Sequence, residues 1–186
     1  MSYKKMKLRA LMLGLMAILF AGFVSCSNSD DEEDNPQPTE VAGIAFTLDV
    51  ESSEDELAIG NVVIEYLDAN GKTLTESITE KKWNKTIYFY KLPANVAYTI
   101  KHSMKEGVEL NKDKYTLSMS VTPSCNVIFS DNSSKPSAEA YFIGKTFSET
   151  TPKDYVSEVF KKKNGIITSY EYTIKKSASG EDVVAE

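Results

Sequence analysis

The stretch "NVVIEYLDANGKTLTES", residues 61–77, decides the fold class. Val62, Ile64 and Tyr66 fall on one face of an extended chain, and Val63, Glu65 and Leu67 on the other. Asn70-Gly71 then separates this run from a second one. Alternation with a period of two marks half-buried strands, and Asn-Gly between two such runs is a strong hairpin signal, with φ > 0 expected at both central residues. The same period extends outward in both directions. In "GIAFTLDVE" (43–51), Ile44, Phe46, Leu48 and Val50 oppose Thr47, Asp49 and Glu51. "VAYTIKHSM" (96–104) aligns Val96, Tyr98, Ile100, His102 and Met104. "DKYTLSMSVT" (113–122) alternates Tyr115, Leu117, Met119 and Val121 with Thr116, Ser118 and Ser120. Such strands set one face on a core and the other in water.

Prolines in "LPAN" (92–95) and "TPSC" (122–125) punctuate these runs, where strands are expected to end. The expected strands are 43–51, 59–68, 72–79, 86–92, 96–105, 113–122, 125–130, 140–148 and 166–175. Short strands at this spacing predict a mainly β chain folded as a sandwich or barrel. One segment departs from the period. In "TTPKDYVSEVFKKKNG" (150–165), Tyr155, Val156, Val159 and Phe160 share a helical face. Thr151 suits a cap, Pro152 the first turn, the lysines the last turn and Gly165 the stop. A short helix near 152–163 is the favoured reading. The other is a hairpin turned at Asn164-Gly165.

The head of the chain carries Lys4, Lys5, Lys7 and Arg9, then an apolar run from Ala10 to Val24. At about 15 residues this run suits an export signal and falls short of the roughly 20 needed to span a bilayer. It ends in Phe23-Val24-Ser25-Cys26, which resembles the lipobox of bacterial lipoproteins. The resemblance implies a signal peptide over 1–25 and lipid on Cys26, by which the protein would be held to a membrane. Five consecutive acids, Asp30 to Asp34, follow and resemble the surface-export signal of Bacteroidota lipoproteins. The expected location is the outer membrane, facing the cell surface, or otherwise the periplasm. Residues 26–40, acidic with Pro36 and Pro38, read as a disordered tether. The folded domain is expected over 41–176, with 177–186 as a flexible tail.

Beyond Cys26 the chain has 17 lysines, no arginine and 27 acids, a net charge of −10. This argues against nucleic acid, whose binding needs basic patches and usually arginine. With Cys26 carrying lipid, Cys125 has no partner for an intrachain disulfide. Catalytic residues and cofactors are not expected. The single histidine, His102, and Cys125 both lie on apolar strand faces and read as core rather than as a nucleophilic pair. One His and one Cys cannot build a closed zinc site, and "DANG" lacks the later ligands of a calcium loop, so no metal site is expected. "ESSEDE" (51–56) and "SDNSS" (130–134) read as solvated loops. Aromatic residues supply the candidates for ligand contact. Trp83 sits in the charged stretch "EKKWNK", Tyr88 and Tyr90 lie opposite Ile87 and Phe89, and Tyr170 and Tyr172 form a second pair. Flat rings with a polar handle suit sugar or protein partners.

Residues 58–102, "AIGNVVIEYLDANGKTLTES" through "TIYFYKLPANVAYTIKH", resemble the carboxypeptidase regulatory-like and Cna-B-type domains. The resemblance implies a prealbumin-like, immunoglobulin-like β-sandwich used as a spacer, adhesin module or accessory binding module. The first strand has no lysine for the isopeptide bond of some Cna-B modules. The expectation is a lipid-anchored envelope lipoprotein that serves as a non-catalytic binding or structural module. The alternatives are an accessory glycan-binding lipoprotein and a pilus- or adhesin-like assembly component.

Overall fold

The computed structural model describes residues 40–186. The expected signal peptide (1–25), Cys26 and all but the last residue of the tether (26–40) lie outside the described residues. The order of elements is β1 (Val41–Ser52), α1 (Glu54–Ile59), β2 (Gly60–Leu67), β3 (Thr73–Ile78), β4 (Lys82–Phe89), β5 (Ala94–Met104), β6 (Lys114–Phe129), β7 (Ser134–Pro136), β8 (Lys145–Pro152), α2 (Val156–Lys161), β9 (Ile166–Lys176) and β10 (Val183–Ala185). A 3₁₀ turn precedes α2, and a turn with Lys163 and Asn164 in left-handed backbone follows it. The strands form two five-stranded antiparallel sheets. In the first, β4, β1 and β6 run side by side, with β7 and β8 both paired along the far side of β6. The order in the second is β10-β9-β5-β2-β3. The sheets pack face to face as a β-sandwich, the fold class expected from the period of two.

The main core lies between the sheets. Ile44, Phe46 and Leu48 of β1 meet Ile64 and Tyr66 of β2 and Ile100 of β5, all essentially inaccessible. Each such side chain contributes about 1.5–3 kcal/mol on burial. A second cluster, Ile59, Tyr115, Leu117, Val156, Val159 and Phe160, seats α2 against the first half of β6. Among the described residues, no helix is long and apolar enough to cross a membrane.

Several expectations are corrected. "TPSC" does not end a strand, since β6 runs unbroken through Pro123. Partner β8 reaches only to Val121 and β7 starts at Asn126, so no strand pairs with that side of β6 at the proline. A missing N–H is tolerated where a strand has such an open side. The strand expected over 140–148 begins only at Lys145, and residues 137–144 form a strap that inserts Phe142 between Phe46 and Tyr172. "ESSEDE" is not a loop but leads into α1, where the Ser53 hydroxyl accepts the Glu56 N–H. The Asn-Gly turn is present in a different form. Only Gly71 has positive φ, and the Asp68 carboxylate accepts the N–H groups of Asn70 and Lys72 at 2.9 and 2.8 Å.

The helical reading of 152–163 holds at its centre. Val156, Val159 and Phe160 are buried, while Tyr155 turns out to solvent. Thr151 and Pro152 belong to β8, and no side chain caps α2. Residues 177–186 are not a loose tail. Ser177 and Gly180 close a turn, β10 pairs with β9, and Val183 is fully buried. The small, polar residues that suggested mobility are those the tight turn needs. Gly180, at φ +77°, is one of them.

Candidate functional site

The outer face of the first sheet carries a groove, and the strand register builds it. Across three strands, Tyr88 of β4, Ala45 of β1 and Asn126 of β6 stand in one row. The next row holds Thr86, Thr47 and Ser124. In the first row the small Ala45 stands between Tyr88 and Asn126, which lowers the surface along β1 there. The groove has a volume of about 400 Å³, with Tyr88 and Tyr90 on one side and Asn126, Ile128 and Asn132 on the other. At Gly43, farther along β1, a Cβ would come within 2.4 Å of the Phe89 carbonyl oxygen, so the strands approach too closely there for a larger residue.

The two tyrosine rings are 52% and 68% exposed and lie almost parallel, with centroids 6.5 Å apart and planes 10° from each other. Thr47 and Thr86 bond through their hydroxyls at 2.9 Å on the groove floor. No ionisable side chain other than the tyrosines lines the groove. It offers flat apolar faces beside neutral donors and acceptors, a surface for a neutral, hydroxyl-rich ligand.

The other aromatic candidates lie elsewhere. Trp83 is not in a loop, because β4 begins at Lys82 and pairs Trp83 with inward-facing Val50. Its half-buried indole tilts against Tyr66 at 6.3 Å and helps close the side of the sandwich. There Lys85 donates to Glu76 across the two sheets, and Tyr66 donates to the same carboxylate from within the second sheet. The Lys85 bond, followed by that of Tyr66, holds the Glu76 carboxyl below its ordinary value. Tyr170 and Tyr172 also face inward. The rings stack at 5.9 Å, Tyr172 is buried, and its hydroxyl accepts the Ile143 N–H at 3.0 Å. They share a face with Ile174, which is fully buried, and that shared face was the legible signal of their direction.

His102 and Cys125 lie in different sheets and make no pair. Burial pushes the Cys125 thiol up to about 12, so it holds its proton near neutrality. His102 has another partner. Its Nδ1 lies 2.8 Å from Oε1 of Glu56, and both side chains are almost inaccessible. Glu56 was hidden in what read as a solvated acidic loop. The signal that could have found it is Ser53 followed three residues on by Glu56, a capping-box spacing that starts a helix. Among the described residues, no cluster of three or more His, Cys, Asp or Glu side chains is arranged to hold a metal ion.

No protein-family model matches the chain, and no curated protein matches it. Fold and surface alone define its class: a two-sheet β-sandwich with an exposed aromatic groove.

Proposed function

We propose that the protein is a lipid-anchored cell-envelope module that binds rather than catalyses, and that the groove beside Tyr88 and Tyr90 takes a carbohydrate. The single observation that carries the ligand class is the pair of parallel, exposed tyrosine rings beside a neutral polar floor. Sugar rings present C–H faces that lie on aromatic planes, and their hydroxyls match threonine and asparagine. The lipobox-like Phe23–Cys26 and the acidic run after it support attachment to the outer membrane, facing the cell surface. A high thiol pKa at Cys125 supports a role without nucleophilic catalysis.

Two experiments test the reading. Glycan-array binding by the wild-type domain is expected, with Tyr88→Ala and Tyr90→Ala each weakening the strongest signal about tenfold, or roughly 1.4 kcal/mol. Both rings are exposed, so these variants are expected to fold. An array signal untouched by either change would remove the groove from consideration. For the anchor, Cys26→Ala is expected to move the protein from the membrane fraction to the soluble one. Unchanged processing and retention would refute lipid attachment.

A further inference from the structure

A second cavity, of about 310 Å³, opens where β8, the turn after α2 and the start of β9 converge over His102. Its walls divide by chemistry. Phe147, Val159 and Ile167 supply apolar surface, and Lys145, Lys162 and Lys163 stand around them. Lys162 is committed to Glu149, with both carboxylate oxygens within 2.8 Å. Lys145 and Lys163 form no ion pair among the described residues. Lys163 projects from a backbone held at φ +48°, inside the turn that closes α2. The ammonium groups of Lys145 and Lys163 therefore stand beside the apolar hollow without a carboxylate partner among the described residues.

His102 gives the cavity a polar floor. Its side chain is 3% exposed, and Phe147 and Phe160 flank the ring with centroids 5.6 and 4.7 Å away. Nδ1 is taken by Glu56, so the imidazole edge bearing Nε2 is the one left for the cavity. Nε2 has no hydrogen-bond partner among the described residues. Glu56 is fully buried, and its second oxygen also lacks a partner. A carboxylate on Nδ1 fixes the tautomer, so neutral His102 offers Nε2 as an acceptor and protonated His102 offers it as a donor.

We propose that this cavity binds an organic anion with an apolar body and a single carboxylate head. The body lies against Phe147, Val159 and Ile167, and the head meets Lys145 and Lys163. The charged groups around His102 are Glu56 on α1, Lys145 on β8, and Lys162 and Lys163 in the turn after α2. Glu56 lies on the Nδ1 side of the ring, away from the edge left for the ligand.

Titration calorimetry on the wild-type protein tests this with phenylacetate, using phenylacetamide and inorganic phosphate as comparison ligands. The expected result is phenylacetate binding that is about tenfold tighter than either comparison. The Lys145→Ala/Lys163→Ala double variant, altered only at exposed side chains, is expected to lose at least about tenfold in affinity for phenylacetate. Equal binding of phenylacetamide, or an unaffected lysine variant, would overturn the anionic head. Equal binding of phosphate would overturn the apolar body, and no binding of phenylacetate at millimolar concentration would overturn the site.

Discussion

At the scale of single residues, buried polar groups hold the sandwich closed at its margins. Asp182 is the clearest case. Its carboxylate accepts the Ser137 hydroxyl at 2.6 Å and the Ala138 N–H at 2.9 Å, tying the strap to the C-terminal turn. Burial pushes its pKa up, but the bonds from Ser137, Val183 and Ala138 outweigh burial and leave it below the ordinary 3.8. A depressed carboxylate contributes stability that is present in full above its unfolded pKa and lost as pH falls through the folded one. Protection of the β10 amides, corrected for the intrinsic pH dependence of exchange, is therefore expected to be constant from about pH 7 to about pH 5 and to fall below about pH 4. Asp182→Ala is expected to cost about 1–3 kcal/mol in a denaturant titration, because the Ala138 N–H and Ser137 lose their acceptor. Lys85 and Glu76 form a more exposed pair, so a double-mutant cycle is expected to return only about 0.5–1 kcal/mol. A coupling well beyond that range would show that the cross-sheet network with Tyr66 acts as a unit.

At the scale of elements, the turn after α2 is the most constrained junction. Gly165 has φ +75°, and a Cβ there would come within 2.4 Å of the His102 carbonyl oxygen. Gly165→Ala combines left-handed strain with a backbone clash and is expected to destabilise by about 2–3 kcal/mol, read as a fall in Tm. A control at Gly71, where the turn leaves open space around the added Cβ, is expected to lose less, about 1 kcal/mol from φ alone. The sequence already marked Gly165 as a helix stop, and Val156, Val159 and Phe160 as the buried face. It could not place Tyr155, because helical spacing alone does not say how wide the covered stripe is. β4 shows the same limit. Its strand pattern is clear from Ile87 to Phe89, while Trp83 and Lys85 gain inward positions only through pairing with β1.

At the scale of the whole molecule, β10 makes the C-terminus part of the second sheet. Removing residues 177–186 exposes one side of β9 and uncovers the core beside Val183. The truncated domain is expected to lose about 3 kcal/mol or more, measured by chemical denaturation. Stability equal to the full domain would mean that β10 adds nothing to the sandwich. The sequence alone determined that this is a mainly β protein, because alternation of apolar and polar residues is a local property of each strand. It also determined the position of the first hairpin and of the short helix, since Asn70-Gly71 and the spacing Val156–Val159–Phe160 are local signals. Only the tertiary structure decided which aromatic rings are available to a ligand. Tyr88 and Tyr90 remain outside, whereas Trp83, Tyr170 and Tyr172 are covered by residues distant in sequence. The pairing of Glu56 with His102, 46 residues apart, was likewise decided by folding. Face and period are written along the chain, but burial depends on what the opposite sheet brings to meet them.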